Sequence, residues 1–352
     1  MALRSDAHAV LRRGTVIPAH PLALTADRKL DEMRQARLTR YYLEAGVGGV
    51  AVGVHTTQFD IRKVGLYEPV LRIARETVAN HPTRSDAITI AGVVGDTPQA
   101  LEEARIASSL GYDLVLVGLG GLVNKTDAEL VEHVRQVADI MPVFGFYLQP
   151  SVGGRHLGYN FWRQLAEIEN LYAIKIAPFN RYRTLDVVRA VAESSRSEDI
   201  ALYTGNDDNI VADLLTPFRF TVGDRVVEKR FAGGLLGHWA VWAKNVVDQL
   251  EAVHQAVAAN DATAIQNLLA IGVQVTDANA AFFDSTNDFA GCIPGIHEVL
   301  RRQGLLEGLW TLDPDEVLSP GQMEEIDRVC AAYPHLNDDA FVKDFLERDA
   351  TR

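Results

Sequence analysis

Cysteine is nearly missing from this 352-residue chain, which has only Cys292 and Cys330. Two thiols cannot staple a disulfide framework, and their spacing fits no metal motif. Long apolar runs are missing too: none approaches the ~20 residues that span a bilayer. Basic side chains are in short supply, with 34 Lys and Arg against 47 Asp and Glu and a formal charge of −13. That balance argues against nucleic-acid and anionic-membrane partners, both of which reward clustered cations. The opening MALRSDAHAVLRRG lacks the apolar stretch of a secretory leader. Asp6 and the absence of a serine bias count against a transit peptide. No solenoid-length repeat, low-complexity tract, Walker A, HExxH or CxxC motif is found. The expectation is a reduced, cytoplasmic protein.

What the chain does have is 47% hydrophobic and 23% charged residues, enough to bury a large core. From Gly14 to about Trp242, short apolar runs alternate with amphipathic segments. Strands are expected at Thr15–Pro18, Gly49–Val54, Ala87–Val93, Leu114–Val117, Pro142–Tyr147, Leu171–Ile176, Ala201–Tyr203 and Gly234–Ala240. Thr97-Pro98 opens one helix, with Thr97 as N-cap, and Leu110-Gly111 closes it. Thr126 with Glu129 forms a capping box for the next. Strands apolar on both faces, each followed by a helix, indicate a parallel sheet. Eight such units over roughly 230 residues predict a (β/α)₈ TIM barrel, an α/β fold, spanning residues 14–244. A doubly wound sheet is the alternative, but no GxGxxG follows the first strand. Residues 1–13 read as an N-terminal extension. Residues 218–234, FRFTVGDRVVEKRFAGG, read as a hairpin insertion turning at Gly223-Asp224. Residues 245–352 read as a C-terminal helical appendage.

In such a barrel, chemistry sits at the carboxyl ends of the strands. The segment NLYAIKIAPFN places Lys175 in an apolar run near the end of the sixth expected strand. Burial disfavours the ammonium and lowers its pKa, and a neutral amine can attack a carbonyl to form a Schiff base. The bland reading is a lysine snorkelling from a strand end to water. Tyr147 ends the preceding strand in FGFYLQP, where its phenol could shuttle protons to and from the amine. Its bland reading is a core tyrosine.

Several fragments, in order, resemble the dihydrodipicolinate synthase / N-acetylneuraminate lyase family of class I aldolase barrels. FGFYLQPSVGG is similar to that family's strand-end tyrosine followed by proline, and NLYAIKIAPFN to its Schiff-base lysine strand. LYTGNDD resembles its turn after the seventh strand, and YYLEAGVGGVAV its run into the second. GVVGDTPQALEEARIASSLGYD resembles its third strand and helix, and GCIPGIHEVLRRQGLLEG part of its C-terminal region. The resemblance implies a lyase in which Lys175 forms a covalent imine with a 2-oxo acid and Tyr147 moves protons. It further implies a homodimer or homotetramer.

Three departures stand out. The family usually reads Gly-Thr-Thr-Gly-Glu after the second strand, to hold the carboxylate. An ungapped match lays VHTTQ, Val54–Gln58, over it, so His55 and Thr56 take the hydroxyl places, with Thr57 beside them. After the fourth strand, VGLGGLVNK puts Gly121 and Leu122 where the family often has a tyrosine relay. After Tyr147, Val152 replaces the synthase's carboxylate-binding arginine; Arg155 is a substitute or a solvated loop charge. Gly205, Leu236 and His238 complete the expected substrate-binding set, although His238 reads equally as a buried structural histidine. Asn180, Arg181 and Arg183 follow the lysine strand as an anion-binding group or a plain helix-leading loop. The departures argue against the lysine-biosynthetic synthase itself. Two other readings remain: a catalytically degenerate barrel that binds or regulates through a small molecule, and a phosphate-binding isomerase. FAGGLLG supports the latter only weakly.

Overall fold

The computed structural model describes residues 2–350. Among the described residues there are ten strands: β1 (Val16–Pro18), β2 (Gly49–Val52), β3 (Ile88–Val93), β4 (Leu114–Val117), β5 (Val143–Leu148), β6 (Leu171–Ala177), β7 (Ala201–Thr204), β8 (Phe218–Val222), β9 (Arg225–Lys229) and β10 (Phe231–Leu236). Eight form one sheet in the order β1-β10-β7-β6-β5-β4-β3-β2. The backbone of β1 also meets β2: the Gly48 N–H donates to Val16 O at 3.2 Å and the His20 N–H to Ala51 O at 2.8 Å. The architecture is a TIM barrel with helices between parallel strands and further helices after the last one. Among the described residues, no helix is long and apolar enough to cross a membrane.

Two compact units are distinguishable, one being the chain up to Thr15 with Ile88–Leu235, the other Val16–Ala87 with the chain from Leu236. In the first, the helix Ser5–Arg13 is tied to the strands: Tyr203 Oη donates to Leu11 O at 3.1 Å, and Arg4 Nε to Asp113 Oδ1 at 2.6 Å. Gly14 (φ 93) is needed there, because a Cβ would sit 1.7 Å from Ala232 O. In the second unit the C-terminal helices dock on the helix Glu32–Ala45. Tyr41 Oη donates to Asp338 Oδ2 at 2.7 Å, and Arg40 Nε to Asp349 Oδ1 at 2.6 Å.

Two sequence expectations shift. The helix Thr97–Leu110 is capped by Asp96, whose side chain accepts from Gln99 N, so Thr97 is its first residue. A carboxylate suits the positive end of the helix better than a hydroxyl, which moves the cap back by one. The Thr126–Glu129 capping box forms as expected. The last barrel strand starts at Phe231 rather than Gly234 and stops at Leu236; His238–Ala240 is a 3₁₀ turn. The hairpin is correspondingly shorter, β8 pairing with β9 from Phe218↔Lys229 to Val222↔Arg225. It lies at the amino end of β10. Lys229 Nζ donates to Ser197 O in the segment leading into β7, and Arg230 to Leu215 O at 3.1 Å. This is the end of the strands away from Lys175, so the hairpin is not a lid over that residue.

Candidate active site

Lys175 is the fifth of seven residues in β6, paired with Phe146 of β5 and Tyr203 of β7. Partners in register on parallel strands project from the same face. Lys175 is 7% exposed, and its Nζ lies 4.6 Å from the centroid of the Phe146 ring. Among the described residues the amine has no hydrogen bond or ion pair. Burial brings its pKa down to about 8, while the nearby Asp207 carboxylate pulls the other way. The stem is boxed in by Gly205, where a Cβ would come within 2.7 Å of Lys175 Cε and 3.0 Å of Cγ. Glycine at 205 thus leaves room for this lysine's side chain.

The turn after β7 is held by one buried acid. Asp213 accepts hydrogen bonds from Thr204 Oγ1 at 2.7 Å, Asn206 Nδ2 at 2.9 Å and Asn209 Nδ2 at 3.1 Å, and pairs with Arg181. Asn206 Oδ1 accepts from the Phe179 N–H at 3.0 Å, where the backbone is left-handed (φ 49). The segment GNDD is therefore a turn joined to the loop after β6. Arg181 is spent on Asp213, and Asn180 caps the helix Arg181–Ala192 by accepting from Arg183 N at 3.1 Å.

Tyr147 is placed differently from the sequence expectation. It pairs with Ile176, one residue out of step with Lys175, so it faces the helices rather than the barrel interior. Its ring tilts against Trp162 at 5.2 Å. Its hydroxyl accepts from Leu157 N at 3.2 Å and from Arg183 at 3.5 Å. The structure does not bring this phenol to the amine; the neighbour on β5 that meets Lys175 is Phe146. Arg155 is no free loop charge, since its guanidinium donates to Leu122 O and, at 3.2 Å, to Lys125 O. It ties the loop after β4 to the loop after β5. Gly120 packs there, because a Cβ would lie 1.7 Å from Gly153 O.

The remaining expected residues lie in the other unit. His55 is half-buried and opens the 3₁₀ turn His55–Thr57, its ring 6.0 Å from Phe59. Thr57 donates to His20 O at 2.6 Å and accepts from Gly53 N at 3.0 Å; Thr56 reaches His20 O at 3.4 Å. Gln58 follows in a left-handed conformation (φ 65) that glycine adopts freely. The second glycine of Gly-Thr-Thr-Gly-Glu therefore fits Gln58, and the two hydroxyls fit Thr56 and Thr57 rather than His55 and Thr56. His20, which sequence reasoning passed over, anchors this turn through its carbonyl. Its imidazole is buried against Thr39 Oγ1 at 2.9 Å, with a pKa lowered to about 4 by desolvation. His238 is likewise buried and held at about 4, stacked on Phe282 at 5.7 Å and 3.4 Å from Asn279 Nδ2. That is the setting of a packed neutral histidine. Leu236 is fully buried at the end of β10. Among the described residues, no group of three His, Cys, Asp or Glu is arranged to hold a metal.

The fold and site define the class: a TIM barrel with a buried lysine, lacking a hydrogen bond, near the carboxyl end of its sixth strand. More narrowly, the chain belongs to the dihydrodipicolinate synthetase family, whose model matches residues 13–219. The 4-hydroxy-tetrahydrodipicolinate synthase of Alkaliphilus oremlandii (strain OhILAs) is 28% identical over 189 residues, covering 52% of this chain and 60% of that protein. The chain thus spans about three-fifths of that relative. An uncharacterised DapA-like lyase of Halobacterium salinarum (strain ATCC 29341 / DSM 671 / R1) is 31% identical over 163 residues, 46% of this chain and 52% of that one. Among solved structures, the dihydrodipicolinate synthase from Oceanobacillus iheyensis superposes with a TM-score of 0.71 at 19% identity, over 94% of this chain and 100% of that one. YagE, a prophage protein from E. coli K12 solved in complex with pyruvate, gives 0.68 at 20% identity, over 91% and 97%. At these identities the structural likeness is one of fold. The family match ends inside β8, so β9 and all that follows lie outside it.

Proposed function

We propose that this protein is a Schiff-base-forming lyase or aldolase, or a related hydratase or dehydratase, acting on a 2-oxo acid such as pyruvate or a pyruvate-releasing substrate. The observation that carries this is the Lys175 amine, buried, without a hydrogen-bond partner, and brought down to a pKa of about 8. At pH 7 about a tenth of such amines are neutral and nucleophilic, far more than for an ordinary lysine. In this reading Nζ adds to C2 of the 2-oxo acid, and the carbinolamine loses water to give an imine. The imine accepts the electron pair of a breaking C3–C4 bond as an enamine, or the enamine adds to an aldehyde in the reverse sense. The lysine supplies the electron sink, so no metal or organic cofactor takes part. Tyr147 has no contact with the amine and is left out of the proton transfers. The resemblance extends the proposal to a cytoplasmic homodimer or homotetramer.

A second reading keeps the fold as a small-molecule-binding barrel without chemistry. It is favoured by the lack of any hydroxyl bonded to Lys175. Borohydride trapping with a panel of 2-oxo acids, read by mass spectrometry, separates the two. The expected result is a stable adduct on Lys175 in the wild type and none in Lys175→Ala. A folded wild-type protein that yields no adduct with any 2-oxo acid would overturn the lyase in favour of the binder.

A further inference from the structure

Phe146 is the side chain that the β5–β6 register sets beside Lys175, and its ring centroid lies 4.6 Å from Nζ. Phe146 is 5% exposed, so the ring face is withdrawn from water. An aromatic face attracts a cation through its quadrupole and has little hold on a neutral amine, the more so when desolvated. The neighbouring elements supply few competitors. On β7, Tyr203 is the partner in register, but its hydroxyl is directed to Leu11 O at 3.1 Å. The turn after β7 supplies Asp207, whose negative charge also favours the ammonium. On β5 itself, Phe144 and Leu148 alternate with Tyr147 and carry no charge.

We propose that Phe146 is a positioning residue that cradles the resting ammonium of Lys175 on its ring face and releases the amine on deprotonation. This rests on the reading of Lys175 as the nucleophile and adds to it the residue that controls when the amine is free. An arene suits that task better than a hydroxyl or carboxylate: it offers no lone pair that would direct the amine away from an arriving carbonyl. It also replaces in place, though not in proton chemistry, the phenol expected beside the lysine.

The test is a titration of Lys175 by competitive acylation with acetic anhydride across pH, quantified at that residue by mass spectrometry. Removing the ring in Phe146→Leu should move the midpoint down by roughly 0.5 to 1 pH unit. Phe146→Trp should move it up, and Phe146→Tyr should leave it within about 0.2 unit, because the ring face persists. Tyr147→Phe should not move it. A Phe146→Leu midpoint equal to that of the folded wild type would reduce the ring to packing and overturn the proposal. If Phe146→Leu does not fold, an unmoved or lowered midpoint in folded Phe146→Trp overturns it in the same way. Acylation needs no 2-oxo acid, so the outcome is separate from the trapping experiment. Shifted midpoints without any trapped adduct would keep Phe146 in this role and discard the lyase; trapping with unmoved midpoints would do the reverse.

Discussion

Two buried charges, one on β6 and one in the short helix after β7, are treated in opposite ways. Asp213, fully buried, is surrounded by donors: Thr204, Asn206 and Asn209 donate to it and Arg181 pairs with it. Lys175, almost as deeply buried, has an aromatic ring below it, one carboxylate at a distance and no hydrogen bond. A buried charge is expensive, and satisfying it fully is how a fold makes it tolerable. The satisfied acid holds two loops in place. In the proposed lyase, the unsatisfied amine is the group left to meet an incoming electrophile.

That contrast can be broken from either side. The largest effect is expected at the satisfied charge. Asp213→Ala strands Arg181, Thr204 and Asn206 together and should cost about 3–5 kcal/mol in urea unfolding. A loss below about 1 kcal/mol would show that the network is not what holds these loops. The opposite sign is expected for Lys175→Met, which should gain about 1–3 kcal/mol at pH 7 while abolishing the trapped adduct. The sign follows from linkage. The folded-state pKa of about 8 lies below the ordinary 10.5, so the unfolded chain binds the proton more tightly. The wild type therefore carries the full burial cost below about pH 8 and sheds it as pH rises toward 10.5. The advantage of Lys175→Met should shrink over that window; a constant gain would mean that the effect is packing alone. The smallest effect belongs to Tyr147→Phe, which removes one acceptor from Leu157 and Arg183 and should cost about 1 kcal/mol, with adduct yield unchanged. A lost adduct in a folded Tyr147→Phe protein would return the phenol to the chemistry.

The same contrast explains what could be read from the sequence. The barrel was legible because each strand is an apolar run and each helix carries caps and a periodic face, as Thr126–Glu129 illustrates. Lys175 was legible because a cation interrupts such a run. The face presented by Tyr147 was not. All but the last residue of β5 is buried, so the alternation that marks an inner face in a half-exposed strand is erased, and only the pairing Phe146↔Lys175 decides it. For the same reason a 28-residue spacing between Tyr147 and Lys175 brought the strands together but not the side chains. Asp213 was hidden differently. It lies within the helix Ile210–Leu215, beyond the acids of GNDD that drew attention, and nothing local marks it as their anchor. In the loop after β2, the positive φ of Gln58 suits the motif's second glycine one residue beyond the place the ungapped match gives it. A left-handed Gln58 does not look like a glycine in a sequence.

The hairpin of β8 and β9 has a use beyond its place in the fold. Its tip at Gly223-Asp224 is exposed, and its strands belong to the amino end of β10, with Lys229 and Arg230 fastening the base. Extra chain inserted at that tip would emerge from the end of the strands that Lys175 does not face. The protein therefore has a built-in attachment point, where a tag, a surface tether or a second protein can be spliced into the chain at the end of the strands opposite Lys175.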